Sequence, residues 1–172
     1  VYPGMGSALC AFGIEKGQVI CLGGDGSFQL NIEEIQTVLY HKLPIKIFYL
    51  NNSGYCSIRQ TQDNFFNGER VGCDEGSKVT FPSMEKVINA YGMRYEKLEK
   101  TDKLFEKIGE ILKIDGPLFC EVILSTDYVF MPKVSSKKLP DGSMISTSLE
   151  DMYPFLDEKE LKQNMINGNK YE

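Results

Sequence analysis

The sequence predicts an α/β fold: a three-layer α/β/α sandwich with a mostly parallel sheet, followed by an extended C-terminal tail. Three observations carry that expectation. Apolar runs of strand length alternate with segments of helical period, the pattern of parallel strands joined by crossover helices and covered on both faces. Two of these runs, residues 19–22 and 45–50, end in polar turn-forming residues and are separated by one helix-length segment. The 172 residues are 42% hydrophobic, enough for one sizeable core and about one domain.

Taken in order, residues 7–14 predict a first helix that stops near Lys16-Gly17, ahead of a strand at 19–22. Residues 31–40 place Ile32, Ile35, Val38 and Leu39 on one helical face, and 45–50 form the second strand. The polar stretch 57–78, with Phe65-Phe66 as its strong apolar pair, is long for a connection and reads as a functional lid or a mobile loop. Ser83 caps a helix that runs through Tyr91, buries Val87, Ile88 and Tyr91, and stops at Gly92.

A short strand at 94–98 follows. Thr101-Asp102 opens a helix with Leu104, Phe105, Ile108, Ile111 and Leu112 on one face, and Gly116-Pro117 releases a strand at 118–124. The last fifty residues carry Pro132, Pro140, Asp141-Gly142 and several serines, which predict an extended tail with a final helix over 157–165. Its apolar side chains, Tyr128, Phe130, Met152 and Phe155 among them, imply packing on its own or a neighbouring domain. The expected division is a domain at 1–126 and an extension at 127–172.

Composition excludes several function classes. A formal charge of −5 without a basic stripe argues against nucleic acid as a partner. No apolar stretch approaches a membrane span, and nothing resembles a signal peptide, so the expected location is cytoplasmic. The five cysteines include no Cys-x-x-Cys pair and read as reduced, structural residues, Cys56 in the candidate loop included. His41 follows a helix beside Lys42, where a cation suits the helix C-terminus.

The chemistry concentrates at two strand ends. Gly24-Asp25-Gly26-Ser27 follows the first apolar run, and Asn51-Asn52 ends the second. A right-handed strand, helix, strand crossover brings both carboxyl ends to one sheet edge, where open α/β sheets bind ligands. Asp25 and Asn52 there offer hard oxygen ligands of the kind Mg²⁺ uses when it also holds a diphosphate. The glycines permit close backbone approach, and Ser27 lies near a helix start that favours an anion. Competing phosphate motifs fail: no Gly-x-x-x-x-Gly-Lys-Ser/Thr occurs, and Gly4-x-Gly6 has Leu9 where a dinucleotide fingerprint needs its third glycine.

The stretch resembles the diphosphate-binding domain of thiamine diphosphate enzymes, whose signature is Gly-Asp-Gly followed some two dozen residues later by Asn-Asn. Gly4-Met5-Gly6, Gly26-Ser27-Phe28-Gln29-Leu30-Asn31 and Leu149-Glu150-Asp151-Met152 bring it nearest the acetolactate synthase-like branch. The resemblance implies the cofactors thiamine diphosphate and Mg²⁺, the metal being held by the side chains of Asp25 and Asn52 and the backbone carbonyl of Gly54. It implies that Gly24, Gly26 and Ser27 line the diphosphate, that Tyr55 belongs to the loop closing over it, and that Met5 faces the aminopyrimidine ring through its backbone.

The same resemblance implies 2-oxo acid decarboxylation with transfer of a two-carbon acyl unit. The family's proton chemistry depends on a glutamate of a separate pyrimidine-binding domain from another subunit, so the expected assembly is a homodimer or homotetramer. No residue of this chain is expected to be catalytic, and the chain alone is expected to be inactive. Glu33 and Glu34 read as stabilisers of a helix N-terminal end. Authentic acetohydroxyacid synthases place a tryptophan between two glutamines after Asn-Asn, whereas this chain has Gln60-Thr61-Gln62 and no tryptophan, so the expected acceptor differs from pyruvate or 2-oxobutyrate.

Three readings follow: the cofactor-anchoring domain of a larger enzyme, the small subunit of a split 2-oxo acid decarboxylase, and a non-catalytic Mg²⁺-diphosphate binding module. The start at Val1 and a first helix about one turn shorter than the family's favour the first.

Overall fold

The structure, a computed structural model, describes residues 17–129 and 131–164. Met5 and the predicted first helix lie outside the described residues, as do Phe130 and Met165. The chain divides between Asp127 and Tyr128 into two compact units.

In the first unit the elements are β1 (Val19–Gly24), α1 (Asp25–Gln29), α2 (Glu34–Tyr40), β2 (Ile45–Asn51), α3 (Cys56–Phe65), α4 (Met84–Tyr91), β3 (Arg94–Leu98), α5 (Leu104–Lys113) and β4 (Leu118–Ile123). The four strands form one sheet in the order β1-β2-β4-β3, and every pairing is parallel. Alternate side chains of the strands feed two cores, as the two-residue period of a strand requires. One face buries Ile45, Ile47, Tyr49 and Phe119 against Phe28, Ile35, Val38, Met84 and Ile88 of α1, α2 and α4. The other buries Phe48, Leu118 and Cys120 against Ile111, Leu104, Ile108 and Leu112 of α5. Helices on both faces of a parallel sheet make the expected three layers.

Local structure departs from expectation in four places. The helix expected at 31–40 begins only at Glu34, and a separate short helix precedes it at residues 25–29, where Phe28 is buried edge-on against the rings of Tyr49 and Phe119. Tight turns through residues 30–33 then lead into α2. The polar stretch 57–78 is ordered: α3 occupies its first half, and a 3₁₀ turn at Glu75–Ser77 is closed by reciprocal bonds between Asp74 and Ser77. Phe105, expected on the apolar face of α5, is 92% exposed. It lies about 100° around the helix from Leu104, at the rim of the arc that meets the sheet. Ile20 and Leu22 of β1 are 51% and 68% exposed, so among the described residues β1 is covered on one face, and Cys21 is half-buried where Cys120 is fully buried.

Gly92 ends α4 in the left-handed conformation, as a C-terminal glycine does, and Ser83 is its N-cap residue without a side-chain cap bond. At the amino end of β2, Lys46 is buried and its ammonium donates to the carbonyls of Ile114, at 2.6 Å, and Gly116, where α5 has just ended. Burial holds its pKa below the ordinary lysine value.

The second unit contains a hairpin of β5 (Ser136–Lys138) and β6 (Met144–Ser146), then α6 (Glu158–Asn164). The stretch expected to be extended is thus partly paired. Lys133 and Tyr153 exchange two backbone hydrogen bonds, and the Lys137 ammonium pairs with buried Asp151 and lies 4.4 Å from the centre of the Phe155 ring.

Candidate cofactor-anchoring site

Parallel register places Gly24 opposite Leu50, so the chain leaves β1 and β2 at one edge and at one height. Asp25, first residue after β1, is 2% exposed and heads α1. Its Oδ1 accepts from the backbone N–H of Gly26 at 2.8 Å. Its Oδ2 accepts from the N–H groups of Asn52 at 3.1 Å and Gly54 at 2.9 Å. Among the described residues no lysine or arginine forms an ion pair with this carboxylate.

The second strand end is a fixed turn. Ser53 has φ 59° and Gly54 φ 143°, both in the region L side chains avoid. A Cβ on Gly54 would stand 2.2 Å from the Cys73 carbonyl oxygen, which instead accepts the Tyr55 N–H at 2.8 Å. The Asn52 N–H goes to Asp25, and its carbonyl accepts from Arg59 Nη2 at 3.1 Å. With both backbone groups engaged, the side-chain Oδ1 of Asn52 is buried without a partner among the described residues. A buried carbonyl oxygen left unpaired costs about 1–3 kcal/mol, so it marks a place where another group belongs. The Gly54 carbonyl accepts the Cys56 N–H at 3.1 Å and retains a second lone pair.

Around this turn, the Tyr55 ring covers the Cα of Gly26 so closely that a Cβ there would be 2.2 Å from the ring. Tyr55 in turn meets the Phe81 ring edge-on at 5.6 Å between centres. A Cβ on Gly24 would meet nothing within 4 Å among the described residues. Ser27 is exposed within α1 rather than at the start of a helix beginning at residue 31. A pocket of about 280 Å³ adjoins the turn, lined by Tyr49, Asn51, Ser53, Glu75 and Phe81 among others. Burial, then the Asp25 charge, pushes the Tyr49 hydroxyl above its ordinary pKa, so Tyr49 is neutral.

The structure therefore brings Asp25, Gly26, Asn52, Gly54 and Tyr55 together, with Gly24 and Ser27 flanking them. It leaves Glu33 exposed and Glu34 half-buried on the turn and first residue of α2, and His41 exposed at the end of that helix. Thr61 is exposed on α3, and its hydroxyl donates to the Ser57 carbonyl at 3.0 Å. Cys56 is a buried free thiol.

Two participants are not evident from the motifs. Arg59, 4% exposed on α3, holds the Asn52 carbonyl and lies 4.0 Å from Asp74. Glu121, 7% exposed on β4, accepts from the Asn51 side-chain amide at 2.6 Å and from the Tyr95 hydroxyl. A charged residue inside the apolar run 118–124 is the signal for the second. For Arg59 the sequence carries no such signal.

Among the described residues no group of three or more His, Cys, Asp or Glu side chains is placed to hold a metal ion. The oxygen donors here are one carboxylate, one amide and one backbone carbonyl, a set suited to a hard cation that takes its remaining ligands from a bound anion or water.

A parallel sheet edge with close-approach glycines, a buried carboxylate in no ion pair and an amide oxygen with no partner among the described residues defines a cofactor-anchoring α/β domain. Sequence comparison specifies which: the chain belongs to the thiamine pyrophosphate enzyme family, whose C-terminal TPP binding domain model matches residues 1–122. An acetolactate synthase large subunit of Cyanidium caldarium is 32% identical over 120 residues, covering 70% of this chain and 20% of that protein. The acetolactate synthase isozyme 2 large subunit of Escherichia coli (strain K12) is 31% identical over 134 residues, 78% of this chain and 23% of that one. Chloroplastic acetolactate synthase 3 of Brassica napus is 30% identical over 122 residues, 69% and 19% respectively. The chain spans about a fifth of the length of these curated relatives. No helix among the described residues is long and apolar enough to cross a membrane.

Proposed function

We propose that this chain anchors thiamine diphosphate through Mg²⁺ for an acetolactate synthase-like enzyme that decarboxylates a 2-oxo acid and transfers the acyl unit. The carrying observation is the buried Oδ1 of Asn52 beside the Asp25 carboxylate: among the described residues the first has no hydrogen-bond partner and the second no ion-pair partner. Asp25, the Asn52 side chain and the Gly54 carbonyl would hold the metal. Gly24, Gly26 and Ser27 would border the diphosphate, with Tyr55 closing the loop and Met5 contributing its backbone.

When bound, thiamine diphosphate supplies a thiazolium carbon that adds to the 2-oxo acid and accepts the electrons released with CO₂. The work of this chain is positional. Asp25 neutralises part of the cation charge in a site sheltered from water, where such an interaction is stronger than at the surface. The Asn52 turn, braced by Arg59 and Cys73, keeps its donors in place and lowers the entropy cost of holding the cofactor.

Proton transfer is not assigned to Glu33 or Glu34, which sit at the N-terminal end of α2. We assign it to a glutamate of a pyrimidine-binding domain from another subunit, so the working enzyme is at least a homodimer, cytoplasmic, and the 172-residue chain alone releases no CO₂ from a 2-oxo acid. Exposed Thr61 in place of a tryptophan leaves the acceptor side without an aromatic wall.

The test is calorimetric titration of the chain with Mg²⁺ and thiamine diphosphate. Saturable binding that needs both, and that Asp25→Ala and Asn52→Ala each weaken at least about tenfold, is the expected result. Binding that is equal in wild type and Asp25→Ala would overturn the assignment.

A further inference from the structure

The geometry points to Glu121 as a positioning residue for the cation-diphosphate site: it sets the orientation of the Asn51 side-chain amide, and through that amide the Asn52-Ser53-Gly54 turn. This rests on the anchoring function proposed above. Glu121 lies on β4, next to β2, with Tyr49 as its register partner. An ionised carboxylate only accepts hydrogen bonds, so its 2.6 Å contact with Asn51 must be made by the Asn51 NH₂ group. That choice fixes the flip of the amide.

The consequence reaches the turn directly. With its NH₂ on Glu121, Asn51 points Oδ1 at the Ser53 N–H, which donates to it at 3.0 Å. This closes an Asx-type turn in which Ser53 takes φ 59°. The same turn aims the Asn52 and Gly54 N–H groups at Asp25 Oδ2. Were the amide reversed, NH₂ would face the Ser53 N–H, donor against donor, and the turn would lose its lock. The Tyr95 hydroxyl occupies the other oxygen of Glu121, so the carboxylate cannot swing away without breaking a second buried bond. The chain of bonds thus runs Tyr95 to Glu121 to Asn51 to Ser53, across three adjacent strands of the sheet.

An exchange of the two side-chain types tests this. Asn51→Asp puts a second carboxylate against Glu121 and should break the lock. Adding Glu121→Gln restores every bond and reverses only the one between positions 51 and 121: the new glutamine donates its NH₂ to the new aspartate and accepts from Tyr95, while the aspartate accepts from Ser53. Two readouts are taken on the full chain, amide hydrogen exchange of Ser53 and Gly54 without ligand, and the affinity for thiamine diphosphate in saturating Mg²⁺.

The expected result for Asn51→Asp is exchange about tenfold faster and binding about tenfold weaker, with both recovered to within about threefold in the double variant. A residue needed only for folding would show no such rescue. Single and double variants that exchange equally fast, or an Asn51→Asp chain that behaves as wild type, would overturn the role of Glu121. If the wild-type chain itself fails to bind the cofactor, the anchoring function falls, and the exchange data still decide whether Glu121 sets the turn.

Discussion

Replacing Gly54 by alanine isolates the geometric demand of the candidate site. The residue has φ 143°, and its missing Cβ would stand 2.2 Å from the Cys73 carbonyl oxygen. The unusual dihedral alone costs a side-chain-bearing residue about 1–3 kcal/mol. Relieving the overlap means moving the Cys73 carbonyl off the Tyr55 N–H, or the Gly54 N–H off Asp25, for about 1 kcal/mol more. The total is about 2–4 kcal/mol, or about 4–16 °C in melting temperature for a chain of this size. Gly92→Ala is the control, since Gly92 also has positive φ, at 79°, but a Cβ there meets nothing within 4 Å. It should lose only the left-handed penalty of about 1–2 kcal/mol. The assay is thermal and urea unfolding of wild type and both variants, followed by far-ultraviolet circular dichroism. Equal destabilisation by the two substitutions would refute the claim that close packing against Cys73, rather than φ alone, defines this turn.

Three further outcomes are expected. Asp25→Asn replaces an acceptor of three backbone N–H groups by an amide whose NH₂ must face at least one of them, so it should destabilise by about 1–3 kcal/mol in urea titration even without metal. Arg59→Leu removes the donor to the Asn52 carbonyl and should raise hydrogen-exchange rates at residues 52–55, while Arg70 keeps Asp74 paired. Burial raises the Cys120 thiol from 9.0 to about 12, ahead of a smaller contribution from Glu96. Below pH 9 the thiol is protonated in both folded and unfolded chains; between pH 9 and 12 the unfolded chain loses its proton first, so stability falls as pH rises. Cys120→Ala should flatten that part of the urea-midpoint against pH curve relative to wild type.

The strand ends were legible because each is an apolar run that stops abruptly at Gly or Asn, and the parallel crossover then dictates that residues 25 and 52 share an edge. The helix α3 was not, because its inward positions are Cys56 and Arg59 rather than an apolar stripe. What holds it is polar and non-local: Gln62 exchanges two hydrogen bonds with the backbone of Val71, and Arg59 reaches back to Asn52. The break at residues 30–33 was hidden for a related reason, since the burial of Phe28 depends on Tyr49 and Phe119, distant in sequence. In α5 the helical period alone grouped Phe105 with the apolar face, and the structure leaves it 92% exposed. Likewise, nothing local marks Asn51 as the neighbour of Glu121.

The buried clasp of Lys46 on the carbonyls of Ile114 and Gly116 lies at the opposite end of β2 from Asn51. A strand fastened at its start and at its finish cannot slide by one place against β4 without tearing both fastenings together and turning Lys46 from one face of the sheet to the other. Misaligned pairings of β2 with β4 are therefore penalised twice during folding, and the height of the β2 tip relative to β4 is fixed before any cofactor arrives.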